Sequence, residues 1–153
     1  MLVAFVSDER YAALPDVLLE FESETAPDLS FEAHHPAAIQ GDAAALRMLA
    51  QNLAGNAVRH SPEGARVRVT VTGAQLTIED SGPGIPQSER ARVFDRFYRP
   101  PGAGEQGSGL GLAIVKAIAD RHCARIALGE SPLGGLKVTV SFRRDDRDGC
   151  PES

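Results

Sequence analysis

Between Val67 and Glu79 the chain alternates apolar and polar residues around a two-residue break, and this pattern constrains the fold more than any other stretch. Val67, Val69 and Val71 alternate with Arg68, Thr70 and Thr72; Gly73-Ala74 turns the chain; Leu76 and Ile78 return on one side. Successive strand side chains point to opposite faces, so the run reads as a hairpin with one apolar face. Such a face needs a covering layer. Ala43–His60 supplies one candidate, with Leu46, Leu49, Leu53 and Ala57 in one stripe behind an N-cap at Asp42. That helix should stop before Pro62, because the residue preceding a proline avoids the α region. Further helices are read over Ala12–Phe21, from Leu14, Val17, Leu18 and Phe21, and over Ala113–Arg121, with Ile114, Val115 and Ile118 inward. Leu29–Ala33, Ile126–Leu128 and Leu136–Phe142 read as strands, the last two joined by a Pro132-Leu-Gly-Gly135 turn. Glu89–Phe97 reads as a short helix or turn pair, and Arg99–Ser108, rich in proline and glycine, as a mobile loop. The expected fold is an α/β (α+β) two-layer sandwich, a mixed, mostly antiparallel five-stranded sheet against about three helices. Residues 1–142 form the domain, and 143–153 a polar tail expected to be disordered.

The 153 residues suffice for one domain with a proper core. A formal net charge of −5 and no run of Lys or Arg argue against nucleic acid as the main partner. No apolar stretch approaches the roughly 20 residues of a membrane span. Met1–Val6 is apolar but short and lacks the basic start of a signal peptide. Cys123 lies at a helix end and Cys150 in the polar tail, so no structural disulfide is expected. No Cys/His cluster has zinc spacing, and a reducing, cytoplasmic setting fits best.

Four segments carry the chemistry. Gly107-Ser-Gly-Leu-Gly-Leu112 runs directly into a helix. Glycine lets backbone approach a ligand, and a helix N-terminus offers unpaired N–H groups and partial positive charge, which suit phosphate. The same pattern also serves as a plain loop and helix cap. In Asn52-Leu-Ala-Gly-Asn-Ala-Val-Arg-His60, Asn52, Asn56 and Arg59 share one helix face. Amide oxygens ligate hard cations and arginine binds phosphate, so the face suits a phosphate–Mg²⁺ group; the alternative is a solvated polar face opposite the leucine stripe. Glu79-Asp-Ser-Gly-Pro-Gly-Ile85 ends a strand at Asp80, whose carboxylate can accept a hydrogen bond from an exocyclic amine such as adenine N6. Gly82 and Gly84 leave room for a ring, though Asp-Ser-Gly-Pro-Gly would equally serve as a tight turn. In Val93-Phe-Asp-Arg-Phe-Tyr-Arg99, Phe94 and Phe97 are suited to core packing, while Arg96 and Arg99 either reach phosphate or lie on the surface.

Together these segments resemble the ATP-binding catalytic domain of bacterial two-component sensor histidine kinases, part of the GHKL ATPase group with gyrase, Hsp90 and MutL. Asn52–Ser61 is similar to the N box, Asp80–Ile85 to the G1 box, Phe94–Arg99 to the F box and Gly107–Leu112 to the G2 box, in the family's order. The resemblance covers about Leu14 to Phe142 and lies closest to the QseC-like sensors. It implies a Bergerat-type fold with ATP and Mg²⁺ as cofactors. Asn56 would ligate the metal. Asp80 would hold adenine N6, with Gly82, Gly84 and Ile85 lining the base pocket. Arg59, His60 and Arg96 would lie by the nucleotide. Gly107, Ser108, Gly109 and Gly111 would wrap the phosphates over Leu110 and Leu112. Arg99 falls where the family can place an arginine on the γ-phosphate. Asn52 stands where hydrolytic relatives carry a glutamate base; an amide cannot take a proton from water, so simple hydrolysis should be poor.

The sequence departs from the family in Ala54-Gly55 within the N box and in Cys123-Ala124 after His122, where the family usually has Gly-Gly. His34-His35 precedes Pro36 in an expected loop, and none of the four histidines sits in a phosphoacceptor motif. The chain is therefore expected to be a catalytic domain whose partner is a histidine-bearing dimerisation domain of the same full-length protein, a sensor anchored in the inner membrane, with a response regulator downstream. Its own domain would contact neither membrane nor nucleic acid. Two other readings stay open, an anti-sigma-factor type serine kinase and a non-catalytic nucleotide-sensing interaction module.

Overall fold

The computed structural model describes residues 2–4, 28–34, 38–40, 42–59, 66–95 and 111–142. Seven strands stand among them: β1 (Leu2–Ala4), β2 (Asp28–His34), β3 (Ala38–Gln40), β4 (Arg66–Thr72), β5 (Gln75–Asp80), β6 (Arg125–Glu130) and β7 (Leu136–Ser141). The described residues also hold two α-helices, α1 (Ala43–Arg59) and α2 (Gly111–Arg121), and a 3₁₀ turn at Gln87–Glu89. The main sheet runs β2-β4-β5-β7-β6. β4, β5, β7 and β6 pair antiparallel, while β2 lies parallel to β4 at the edge with Leu29 opposite Val67 and Phe31 opposite Val69. A parallel pair needs a crossover, and α1 lies on the connection between those two strands. β1 and β3 form a separate two-stranded antiparallel sheet.

The period-2 pattern decides which sheet face is covered. Val67, Val69, Val71, Leu76, Ile78, Val138 and Val140 are all buried, in one cluster with Leu46, Leu49 and Leu53 of α1 and Val115 and Ile118 of α2. On the opposite face Arg68 Nε donates to Glu79 Oε2 at 2.9 Å, and Lys137 Nζ lies 3.8 Å from Glu79 Oε1. These three residues are register neighbours across β4, β5 and β7.

Asp42 caps α1 as expected, its Oδ1 accepting from the N–H groups of Ala44 (3.0 Å) and Ala45 (3.4 Å). Such a cap contributes about 1 kcal/mol. The far end of α2 is tied to that cap. His122 Nε2 accepts from Asp42 N–H at 3.0 Å and its Nδ1 lies 2.8 Å from the Ile118 carbonyl. A main-chain N–H only donates and a carbonyl only accepts, so the ring is neutral with its proton on Nδ1. Cys123 then takes φ +56°, and Ala124 N–H returns to the Ala119 carbonyl at 2.8 Å, closing the helix with a left-handed residue that is usually glycine.

Three expectations change. Two α-helices are described rather than about three, because Ala12–Phe21 lies outside the described residues. His34 closes β2, opposite Thr72, instead of sitting in a loop. Cys123 is disulfide-bonded, against the expectation of unpaired cysteines. The chain's other cysteine, Cys150, lies outside the described residues. Ser141, the last residue of β7, pairs with Arg125, two residues from Cys123. The tail 143–153 and the loop Arg99–Ser108 also lie outside the described residues.

Candidate functional site

β5 delivers Asp80 to its end, where the residue is only 6% exposed. Burial of a carboxylate demands partners. Asp80 Oδ1 accepts from Gly82 N–H at 3.0 Å and from Leu136 N–H at 3.1 Å, and the Asp80 carbonyl accepts from Gly135 N–H at 3.0 Å. One oxygen therefore makes the tight turn after β5 and also holds the start of β7. Ser81 fixes the other side: its Oγ accepts from Arg66 N–H at 2.8 Å, and its own N–H donates to the Arg66 carbonyl at 3.0 Å. Gly84 follows at φ +72°, a left-handed conformation costly for any residue with a Cβ. Ile85 is partly buried against the core, and its carbonyl accepts from Arg90 Nε at 3.1 Å.

The second group lies on α1. Asn52 and Asn56 are half-buried on the helix that carries the leucine stripe. Asn52 Nδ2 donates to the Met48 carbonyl one turn back at 2.8 Å, which fixes the amide. Its Oδ1 faces Gly111, the first residue of α2, where a Cβ would lie 3.4 Å from that oxygen. A Cβ at that distance would be in ordinary contact, so the N-terminus of α2 lies directly beside the amide. The first N–H groups of an eleven-residue helix lack intrahelical partners and carry its partial positive charge. Leu112 packs beneath, partly buried against the core.

The structure therefore joins Asn52 to Gly111, and Asp80 to Gly82, on elements that pack directly, since α1 contacts both α2 and β5. Arg59 is the last residue of α1; its side chain, and residues His60, Arg96, Arg99, Gly107, Ser108, Gly109 and Leu110, lie outside the described residues. Among the described residues no group of three His, Cys, Asp or Glu could hold a metal ion, and no helix is long and apolar enough to cross a membrane. Sequence reasoning missed Gly135, Leu136 and Arg90. The first two act through main-chain N–H groups, which leave no side-chain signature, and Pro132-Leu-Gly-Gly135 was legible only as a turn.

Residues 41–146 match the family model described as histidine kinase-, DNA gyrase B- and HSP90-like ATPase. The chain belongs to this ATPase family. It is 44% identical over 97 residues to the sensor protein QseC of Escherichia coli K12, which covers 63% of this chain and 22% of that protein. It is also 44% identical over 110 residues to the signal transduction histidine-protein kinase/phosphatase MprB of a Mycobacterium species, covering 68% of this chain and 21% of that protein. The solved structure of a mycobacterial sensor histidine kinase MprB superposes with a TM-score of 0.80 at 28% identity, over 93% of this chain and 97% of that one. The ATPase domain thus spans about a fifth of the length of the curated relatives it matches. Its architecture is that of the ATP-binding domain of sensor histidine kinases.

Proposed function

We propose that this domain binds Mg-ATP and donates the γ-phosphoryl group to a histidine on a separate dimerisation and phosphoacceptor domain in two-component signalling. The observation that carries the reading is the buried, doubly bonded Asp80 at the end of β5, opening onto Gly82 and Gly84. Its carboxylate accepts from adenine N6, the two glycines admit the ring, and Ile85 forms part of the wall. Asn56, with the fixed amide of Asn52, has the oxygen donors that a hard cation takes, so the residues present fit Mg²⁺. When bound, the ion neutralises charge on the β- and γ-phosphate oxygens. The N-terminus of α2, from Gly111 and Leu112, and Gly107, Ser108, Gly109 and Leu110 before it, receive the phosphates. Arg59, His60 and Arg96 flank the nucleotide, and Arg99 contacts the γ-phosphate.

The chemistry is then one of positioning. A ring nitrogen of the acceptor histidine forms a bond to the γ-phosphorus, the bond to the β–γ bridging oxygen breaks, and ADP leaves. The histidine proton passes to a base on the acceptor domain. Asn52 offers no basic group to activate water, so transfer is favoured over hydrolysis. The domain acts on the cytoplasmic side of a membrane-anchored sensor, and a response regulator takes the phosphoryl group next.

Calorimetric titration with a non-hydrolysable ATP analogue tests the site, with and without Mg²⁺. Micromolar, Mg²⁺-sensitive binding is expected, and Asn56→Ala should abolish the metal-dependent part; unchanged affinity in that variant would contradict its role. Incubation with a histidine-bearing helical domain supplied in trans should then yield acid-labile phosphohistidine. Acid-stable phosphoserine on a partner would overturn the reading in favour of a serine kinase.

A further inference from the structure

We infer that Gly135 is a positioning residue for base recognition, holding the Asp80 carboxylate in the orientation that selects a 6-amino purine. The inference rests on the reading of Asp80 as the base-binding residue. Three observations converge on it. Gly135 N–H and Leu136 N–H donate to Asp80, one to its carbonyl and one to Oδ1. A Cβ on Gly135 would lie 2.6 Å from the Asp80 carbonyl oxygen and 2.7 Å from Gly82 N, and closer still to Asp80 Oδ1. Two of the three are main-chain atoms and the nearest is a carboxylate oxygen held by two main-chain donors, so a Cβ must displace the carboxylate or the backbone around it. Gly84, the second glycine of the base-side loop, stacks on the same residue, its own Cβ position 3.5 Å from the Gly135 carbonyl carbon.

The segment that presents Gly135 is itself braced. Ser131 N–H donates to the Gly135 carbonyl at 2.8 Å, Gly134 N–H donates to the Ser131 carbonyl at 2.9 Å, and Ser131 Oγ accepts from Leu133 N–H at 3.0 Å. Ser131 is buried although polar. The turn between β6 and β7 therefore fixes the main-chain donors that hold Asp80.

A fixed carboxylate discriminates by donor and acceptor alone. The 6-amino group of adenine donates to it. The 6-oxo group of hypoxanthine presents an acceptor to an acceptor and is rejected. Displacing Asp80 should cost ATP its hydrogen bond and leave the 6-oxo nucleotide, which never had it, almost unchanged.

The test is calorimetric titration of the whole chain with ATP and with ITP, beside thermal unfolding of each variant. The unsubstituted protein is expected to favour ATP by about tenfold or more, the worth of one hydrogen bond to a charged group. Gly135→Ala should weaken ATP about tenfold and ITP by less than threefold, so that the preference collapses. Ser131→Ala, which removes only the acceptor of Leu133 N–H, decides the matter if Gly135→Ala shows no cooperative melt: a reduced ATP/ITP ratio at near-normal melting temperature supports the role. Equal weakening of both nucleotides, or an unchanged ratio in the folded variants, would overturn it. Failure of the unsubstituted protein to bind either nucleotide would instead sink the ATP reading, and this inference with it.

Discussion

Replacing Asp80 by alanine removes the acceptor of two buried main-chain donors, Gly82 N–H and Leu136 N–H. Each buried donor left unsatisfied costs about 1–3 kcal/mol, so the variant should lose about 2–6 kcal/mol. At about 2–4 °C per kcal/mol for a domain of this size, the melting temperature should fall by roughly 4–24 °C. Asp80→Asn separates this from recognition. Its amide oxygen can accept from the same two donors, because the opposite orientation would set donor against donor. The amide nitrogen then takes the place of the second carboxylate oxygen. Stability should stay within about 1.5 kcal/mol of the unsubstituted protein. ATP should bind poorly, since the amide donor meets the 6-amino donor, whereas ITP should gain. Urea unfolding and calorimetry with both nucleotides read the two effects apart. If Asp80→Ala loses less than about 1 kcal/mol, or Asp80→Asn is as unstable as alanine, then Oδ1 does not carry the two bonds and the reasoning fails.

Three further outcomes are expected. Cys123→Gly, measured in reductant so that the disulfide does not contribute, should stabilise the domain by about 1 kcal/mol by relieving the positive φ at the end of α2; equal midpoints in urea would show no strain there. His122→Ala deletes the acceptor of Asp42 N–H and the donor to the Ile118 carbonyl, and should cost about 1–2 kcal/mol by the same assay. Leu49→Ala, at a position 0% exposed under the sheet, should cost about 2–5 kcal/mol, with nucleotide affinity at a temperature where the variant is folded left unchanged.

The elements that were legible in sequence are those whose signal lies in side chains. Val67, Val69 and Val71 declare both a strand and its buried face, and Leu46, Leu49 and Leu53 do the same for α1. Asp42 marks the helix start because its cap uses a side-chain oxygen. α2 begins at Gly111 rather than Ala113, since glycine and its low helix propensity disguise a first turn held by tertiary contact with Asn52. β1 and β3 are three residues each and pair across more than thirty residues, so neither carries a period long enough to read. Asn52, Asp80, Gly82 and Gly111 were singled out because amides, carboxylates and glycines have recognisable chemistry. Gly135 was not, because its contribution is an N–H group and the absence of a methyl. The pairing of Cys123 escaped because a disulfide depends on tertiary placement, which a cysteine's position along the sequence does not state.

The amide of Asn52 is tied to its own helix and the carboxylate of Asp80 to two neighbouring main-chain groups, each on an element rooted in the core. Neither group has rotamer freedom left to surrender when a ligand arrives. Ordering a side chain at a binding surface typically costs about 0.5–1.5 kcal/mol, and here that cost is met during folding. The half of the site built on α1 and β5 therefore behaves as a rigid template, and its association entropy should be dominated by the ligand and by expelled water. A calorimetric signature follows: substitutions that loosen either tie should appear chiefly as an entropic penalty, with the enthalpy of the surviving contacts little changed.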